Sequence, residues 1–463
     1  MTEETNVHEP EDKLDFKRIL PIFVIVLVDL LGLTIIIPLL PLYATTFGAS
    51  PLVIGLLGAA YPIMQFIGAP LLGRLSDRYG RKPVLVISQI GTLVGFLVLG
   101  FASTLWMLFL SRIIDGISGA NIATAQAAIS DSTSEKTRTQ GLGLIGAAFG
   151  LGFIIGPVIA FVSLEASDQN YHVPAFVAAA FSLLSILLTA FWFQETLPES
   201  QQHEQTERAS FSFKSLITAV GHPTVGLLLV LMFAQQLAFG GFEQLLALFT
   251  LNRLGLNASG NAIVFVYVGI IVVAVQGGLI GRWSRRFGDR RLIYAGLALL
   301  AGGLLAIGLT ARQPPPWYSQ EALQEELVAE QQMPGETPPT EDIPVELPDD
   351  SNNGWLGLIW LLIAMIPVAI GGGILQPAIN SLITKRIDPV DVGGMLGISA
   401  AFLSAANAVA PIIGGVLFEA IGSGAPFVFW SLLMSLLLVI SVRSIRPGRE
   451  EATPAGLARG GGH

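Results

Sequence analysis

Apolar residues in this chain run on unbroken for about twenty positions at a time, with few charges between them. Neither the alternation of a half-buried strand nor the three-and-four spacing of a surface helix describes them. A helix of that length rises about 30 Å, the thickness of the hydrocarbon core of a bilayer. The pattern predicts twelve membrane-crossing helices, near 19–42, 52–72, 84–102, 105–129, 140–163, 173–193, 224–249, 260–281, 292–311, 355–383, 391–417 and 425–442, numbered span 1 to span 12. Two polar stretches are longer than a tight connection, 194–223 and 312–354. The organisation expected is a tail (1–18), a six-helix bundle (19–193), a linker (194–223), a second six-helix bundle (224–442) and a tail (443–463).

Composition agrees with a bilayer as the solvent. Of 463 residues 52% are hydrophobic and only 13% charged, with a mean hydropathy of +0.66, far too apolar for a water-soluble chain of this size. Twelve crossings put both termini on one side. Of the 25 Lys and Arg, 22 then fall in the tails and loops of that side, Arg253 and Arg312 fall on the other, and Arg112 lies within a span. Basic loops stay cytoplasmic, so both termini are expected in the cytoplasm, in a bacterial inner membrane.

The net charge of -9 is carried by 312–354. The remaining cations sit in loops already explained by topology, so nucleic-acid binding is not expected. Cysteine is absent and the five His residues are scattered, which excludes disulfides, thiol nucleophiles and zinc-ligand spacing. The first 18 residues carry six acids and the span that follows is too long for a signal-peptide core, so no cleavable signal is expected.

The connection between spans 2 and 3 reads GRLSDRYGRK, Gly73 to Lys82, with four cations and one carboxylate between apolar runs. A second such stretch, GRWSRRFGDRR, starts at Gly281, 208 positions on. Gly156–Pro157 in span 5 corresponds to Ala410–Pro411 in span 11 at an offset of 254. The difference between the offsets is close to the length of 312–354, so the halves align once that segment is removed. Its prolines and acids read as a disordered external loop. In the linker, the FSFKSL stretch suits an interfacial helix before span 7.

An ionisable group deep in a span costs about 2.5 to 3.5 kcal/mol even on lenient scales, so it must be paired or line water. The clear cases are Asp29 in span 1, Arg112 and Asp115 in span 4, and Glu243 in span 7; Glu419 lies too near the end of span 11 to count. Arg112 with Asp115 suits a structural ion pair as well as a functional one. Asp29 is midway along a helix weakened by Gly32, Pro38 and Pro41, where a carboxyl can take or release a proton according to which side it faces. Gln236, Phe239 and Glu243 share one helical face, suited to a cationic or amphipathic ligand. Gln65, Gln89, Asn121, Gln126, Gln235, Gln276, Gln376, Asn380 and Asn407 are further candidates to line a cavity, or to tie helices together by hydrogen bonds. The glycines of span 5 serve close helix packing as readily as they serve transport.

The first basic loop resembles, at Gly73, Leu75, Ser76, Asp77, Arg78, Gly80, Arg81 and Lys82, the signature between helices 2 and 3 of the major facilitator superfamily. The resemblance implies an all-α membrane protein with twelve transmembrane helices in two pseudo-symmetric six-helix bundles, with substrate bound between them at mid-bilayer. Narrower still, DLLGLTIIIPLLP (Asp29 to Pro41), SRIIDGISGA (Ser111 to Ala120) and GAAFGLGFIIGP (Gly146 to Pro157) are similar to the bacterial tetracycline/proton antiporters and their multidrug relatives. That likeness covers about the first 200 residues well. It implies that Asp29 is the carboxylate needed for proton-coupled export, with Arg112 on the family's span 4 arginine and Asp115 beside it. It also implies a cytoplasmic latch of Gly73, Asp77, Arg78, Gly80, Arg81 and Asp131 that closes the outward-facing state. Asp77 would sit at the N-terminus of span 11 near Gly393 and Gly394, and Arg81 would pair with Asp131. The family's span 5 motif continues with a Gly pair where this chain has Ala160 and Phe161.

No GxxxxGK[ST] stretch is present, so ATP is not the expected energy source. A potential of 100 mV is worth about 2.3 kcal/mol per charge, enough for roughly a fifty-fold gradient per proton. The function expected is export of an amphipathic drug-like molecule in exchange for protons, by a chain working as a monomer with no cofactor. Uptake of a small nutrient fits the same fold. A non-transporting receptor or scaffold is the reading from another class, and no nucleophile-base constellation supports an enzyme.

Overall fold

The computed structural model describes residues 16–119, 121–133, 138–197, 225–329, 345–387 and 392–445, with 218 and 220–222 between them. The FSFKSL stretch and most of both tails lie outside the described residues. No strand occurs among those described, and eleven helices are long and apolar enough to cross a membrane. The remaining crossing is span 4, divided into Leu105–Ser118 and Asn121–Asp131.

Most spans run further than their apolar runs. Span 2 is Pro51–Tyr79, span 3 Arg81–Gly100, span 5 Arg138–Glu165, span 6 His172–Phe191 and span 7 Gly226–Leu254. Spans 9 to 12 are Asp289–Gly308, Leu356–Thr384, Val392–Ala420 and Ala425–Ser444. Span 1 bends where its sequence suggests. The helix Phe16–Ile36 ends before Pro38, which has no N–H to give, and a short helix Leu40–Thr46 resumes after one turn. Span 8 contains a π-helical turn, Val275–Leu279, between Ala258–Ala274 and Ile280–Phe287.

Spans 1 to 6 pack among themselves, as do spans 7 to 12, and the halves meet where span 2 lies along span 11 and span 5 along span 8. The close approaches are made by glycine. A Cβ on Gly55 would collide with the carbonyl of Pro411, and one on Gly269 would stand 2.8 Å from the carbonyl of Phe153. These approaches lie in the part of the molecule remote from the two basic loops. Toward the Gly73 loop, span 2 is largely exposed from Leu71 to Tyr79.

Where it is described, the segment 312–354 departs from the disordered loop expected of it, and 330–344 lie outside the described residues. Its described portions, 312–329 and 345–354, form a strap with a helix Gln320–Ala329 and a single 3₁₀ turn, Asp350–Asn352. Tyr318, Leu323, Leu327 and Val345 are buried. The Tyr318 hydroxyl donates to the Pro348 carbonyl at 2.9 Å, Asn252 Nδ2 donates to the Glu346 carbonyl at 2.9 Å, and Arg312 pairs with Glu346 at 2.8 Å. Leu323 and Leu327 are one helical turn apart, so a single apolar stripe is enough to seat an otherwise acidic helix. The strap helix also reaches the short helix Leu40–Thr46 of the first half.

Candidate functional site

A cavity of about 410 Å³ lies between the halves, walled by spans 1, 2, 4 and 5 on one side and spans 7, 8, 10 and 11 on the other. Gln65, Gln235, Gln236 and Gln376 line it as expected, together with Phe239 and Glu243. Gln276 and Asn407 line it too, and Gln236 Nε2 donates to Asn407 Oδ1 at 2.8 Å, joining spans 7 and 11. Asn380 and Gln126 are not part of this lining: Asn380 Oδ1 is buried in span 10, and Gln126 is exposed on span 4. The side chain of Asn121 lies outside those described. Gln89 is a tie between helices, its Nε2 donating to Ser185 Oγ of span 6 at 2.7 Å.

Arg112 lines the cavity and its Nη1 stands 3.2 Å from Asp115 Oδ2, with both side chains almost fully buried. The three-residue spacing on one helix makes this contact. Its guanidinium lies 5.7 Å from the ring centre of Phe96. Asp29 and Asp115 stand behind the wall rather than in it, and Asp29 Oδ1 is buried.

Tyr61 of span 2 lines the cavity and lies within electrostatic reach of Asp115, Asp29 and Arg112. The Tyr61 hydroxyl accepts from Gln65 Nε2 at 3.2 Å, and Gln65 Nε2 also donates to the Gly119 carbonyl at 3.1 Å. Span 2 thus satisfies a carbonyl at the break in span 4. Sequence reasoning missed Tyr61, because one aromatic in an apolar run looks like packing. Its signal was Gln65, four residues on and therefore on the same helical face.

At the basic-loop end Arg81 is only 2% exposed, with its Nε donating to Asp131 Oδ2 at 2.9 Å and its Nη1 to Asp77 Oδ1 at 2.6 Å and Ser76 Oγ at 2.8 Å. The expected Arg81–Asp131 contact is present. Asp77 is held by Arg81, while the surroundings of Gly393 and Gly394 lie outside those described. Gly73 has open space around it, and the Arg78 guanidinium lies 5.2 Å from the ring centre of Tyr79.

Glu195, beyond span 6, was not foreseen. Its Oε1 accepts from the Arg81 N–H at 2.9 Å and its Oε2 from the Lys82 N–H at 3.0 Å, capping the positive end of span 3.

The second basic loop repeats this cluster with the charges exchanged. Asp289 stands 208 positions after Arg81, and Lys385 stands 254 after Asp131. Lys385 Nζ donates to Asp289 Oδ2 at 2.6 Å, as does Ser381 Oγ, and Ser284 donates to Asp289 Oδ1. Each cluster ties the start of one span to the end of another within its own half.

At the opposite end Glu419, set aside on sequence grounds, joins the halves. Its Oε2 accepts from Ser50 Oγ at 2.6 Å and from the Leu52 N–H at 2.9 Å. Gln169 and Ser259 exchange hydrogen bonds at 2.8 and 2.9 Å across the same seam. Glu326 of the strap accepts from Asn257 Nδ2 at 3.2 Å. Burial pushes the Glu326 carboxyl up, the Asn257 bond opposes that, and the nearby charge of Glu165 adds to it.

A twelve-crossing, two-part helical protein with this loop between spans 2 and 3 matches the family profile of the Major Facilitator Superfamily over residues 22–319. The chain belongs to the major facilitator superfamily. Within the superfamily it is 29% identical to the tetracycline resistance protein, class B, of Escherichia coli over 86% of this chain and 87% of that one. It is 28% identical to multidrug resistance protein 1 of Bacillus subtilis (strain 168), over 91% and 95%. Among solved structures it resembles the human organic anion transporter MFSD10 (TETRAN), with a TM-score of 0.60 and 22% identity over 92% of this chain and 99% of that one. This superfamily member is a transmembrane transporter, not an enzyme. Among the described residues no group of three or more His, Cys, Asp or Glu is placed to hold a metal ion.

Proposed function

We propose that this chain exports an amphipathic, drug-like small molecule in exchange for protons. One observation carries the reading: a cavity between the halves has Arg112 in one wall and Glu243 in the other, with Asp115 paired to Arg112 and the carboxyl of Asp29 behind the same wall. The tetracycline and multidrug resistance proteins to which the chain is similar support it.

In this reading residues 19–193 and 224–442 rock as two bundles about the cavity, and the basic loops face the cytoplasm. The seam at Ser50, Gln169, Ser259 and Glu419 then shuts the outside. Asp29 takes a proton from outside, releases it inside, and competes with substrate through Arg112. The Asp77–Arg81–Asp131 cluster braces the cytoplasmic ends as they close.

The test uses energised inside-out vesicles and a compound found by growth screening of pump-deficient cells. Adding the compound should release protons from vesicles carrying the wild-type protein and none from vesicles carrying Asp29→Asn at equal folded amount. Proton-linked export at the wild-type rate by that variant would end the assignment. Proton movement in the opposite sense would favour uptake.

A further inference from the structure

Among the described residues Glu243 is the only acid that lines the cavity. It is half-buried, and it enters no hydrogen bond or ion pair with any of them. The other acids of the site are placed differently: Asp115 is 2% exposed and held by Arg112, and Asp29 stands outside the lining.

Nothing beside Glu243 compensates a negative charge. Span 4 brings Arg112 to the cavity, but its charge is already met by Asp115, and span 2 brings Tyr61. No other lining residue, from span 1, 5, 7, 8, 10 or 11, is charged or titratable. A bare carboxylate in such a surround is costly unless water reaches it, so this group is neutral when the cavity is dry and gives up its proton when water fills it.

The same carboxyl lies where both faces of the membrane can supply that water. Toward the basic loops the halves stand apart: a Cβ added to Gly146 in the cavity wall, or to Gly277, would meet nothing within 4 Å, and span 2 is largely exposed from Leu71 to Tyr79. On the opposite side the next residue, Gln244, belongs to the closed seam. A Cβ on Gly58 would stand 3.1 Å from Gln244 Oε1 and 3.3 Å from Pro411 Cβ. Parting of that seam opens Glu243 to the other face.

We propose that Glu243 is a second proton-carrying site, loaded from one face of the membrane and discharged to the other through the cavity. The carboxylic acid gives its proton to cavity water and is left as the carboxylate, and the reverse step reloads it from the opposite side. Asp29 and Glu243 then titrate on opposite halves within one cycle. The proposal takes its cycle from the export reading, while the proton site itself stands without it.

The site is tested on the purified full chain in nanodiscs, with no gradient and no ligand, by infrared spectra recorded in H2O and D2O as the buffer is taken from acid to alkaline. Wild type minus Glu243→Gln should leave a carboxylic acid C=O band that shifts in D2O and disappears as the buffer becomes alkaline. Asp29→Asn should keep that band, and Glu243→Asp should restore it at a changed frequency. The cycle is tested in inside-out vesicles with the screened compound. Protons released per molecule should fall from two to one in Glu243→Gln and return to two in Glu243→Asp. At a potential of about 100 mV the steepest gradient held should fall about fifty-fold with the lost proton.

A difference spectrum without a titrating acid band would overturn the proposal, and so would an unchanged proton count in Glu243→Gln. A titrating band in a protein that exports nothing keeps the proton site and loses the export reading.

Discussion

Gly80 and Gly288, 208 positions apart, separate a steric demand from a backbone one. Both have positive φ, 99° and 79°, with ψ of 159° and 149°, a region open to little but glycine. At Gly288 an added Cβ would meet open space; at Gly80 it would stand 2.5 Å from Glu195 Oε2. Gly288→Ala should therefore lower stability by about 1–3 kcal/mol through the backbone alone. Gly80→Ala should lose about 1 kcal/mol more, because it also displaces the carboxylate that caps span 3. Thermal unfolding of the two variants in detergent checks the order. Depth within an apolar run was enough to single out Asp29, Arg112, Asp115 and Glu243. Glu195 was not legible, since it lies 114 residues from the N–H it caps and looks like any acid after a span.

The spans were legible as elements because their signal is local: a run of apolar residues, ended by charge or glycine. The bend in span 1 was legible for the same reason, through Pro38. The break in span 4 was not, because it depends on Gln65 of another helix taking up the Gly119 carbonyl. How two helices close on each other is also an element property. Gly55 and Gly415 let spans 2 and 11 touch, and a Cβ on Gly55 would run into a backbone carbonyl that cannot turn aside. Gly55→Ala should oppose the packed seam by about 1–3 kcal/mol and shift the population toward the form open at that end. The chain has no cysteine, so a single Ala49→Cys, at a site 1% exposed, gives a clean probe. Its maleimide labelling rate should rise about tenfold in the Gly55→Ala background. An unchanged rate would mean that the seam does not gate access.

Across the whole molecule, the strap helix Gln320–Ala329 belongs to the second half and reaches the first, so its seating reports on how the halves stand. The Glu326 carboxyl is pushed up by burial and by Glu165. A carboxyl raised in the seated state favours the protonated form. Its seating is thus tightest below the ordinary glutamate range and weakens as pH rises through the raised value. Hydrogen exchange at Leu323 and Leu327, compared between wild type and Glu326→Gln at each pH, should show protection falling with rising pH only in the wild type. Equal pH dependence in both proteins would exclude Glu326 as the sensor. The exchanged charges of the two clusters, Arg81–Asp131 and Asp289–Lys385, are a property of the same scale. The duplication of the basic loop was readable from spacing, whereas the pairing of Asp289 with Lys385 needed two distant spans side by side.

Sequence alone determined the number of crossings, the superfamily signature and the short list of buried charges, because length, loop charge and apolar runs are one-dimensional quantities that the bilayer enforces on each segment separately. Tertiary structure decided which of those polar groups face a shared cavity, that Tyr61 belongs among them, that Glu419 instead joins the halves at the far seam, and that the described parts of an acidic, proline-rich segment pack as a strap. Those outcomes depend on the rotation of each helix about its axis and on contacts between residues a hundred or more positions apart, and no local pattern carries that information.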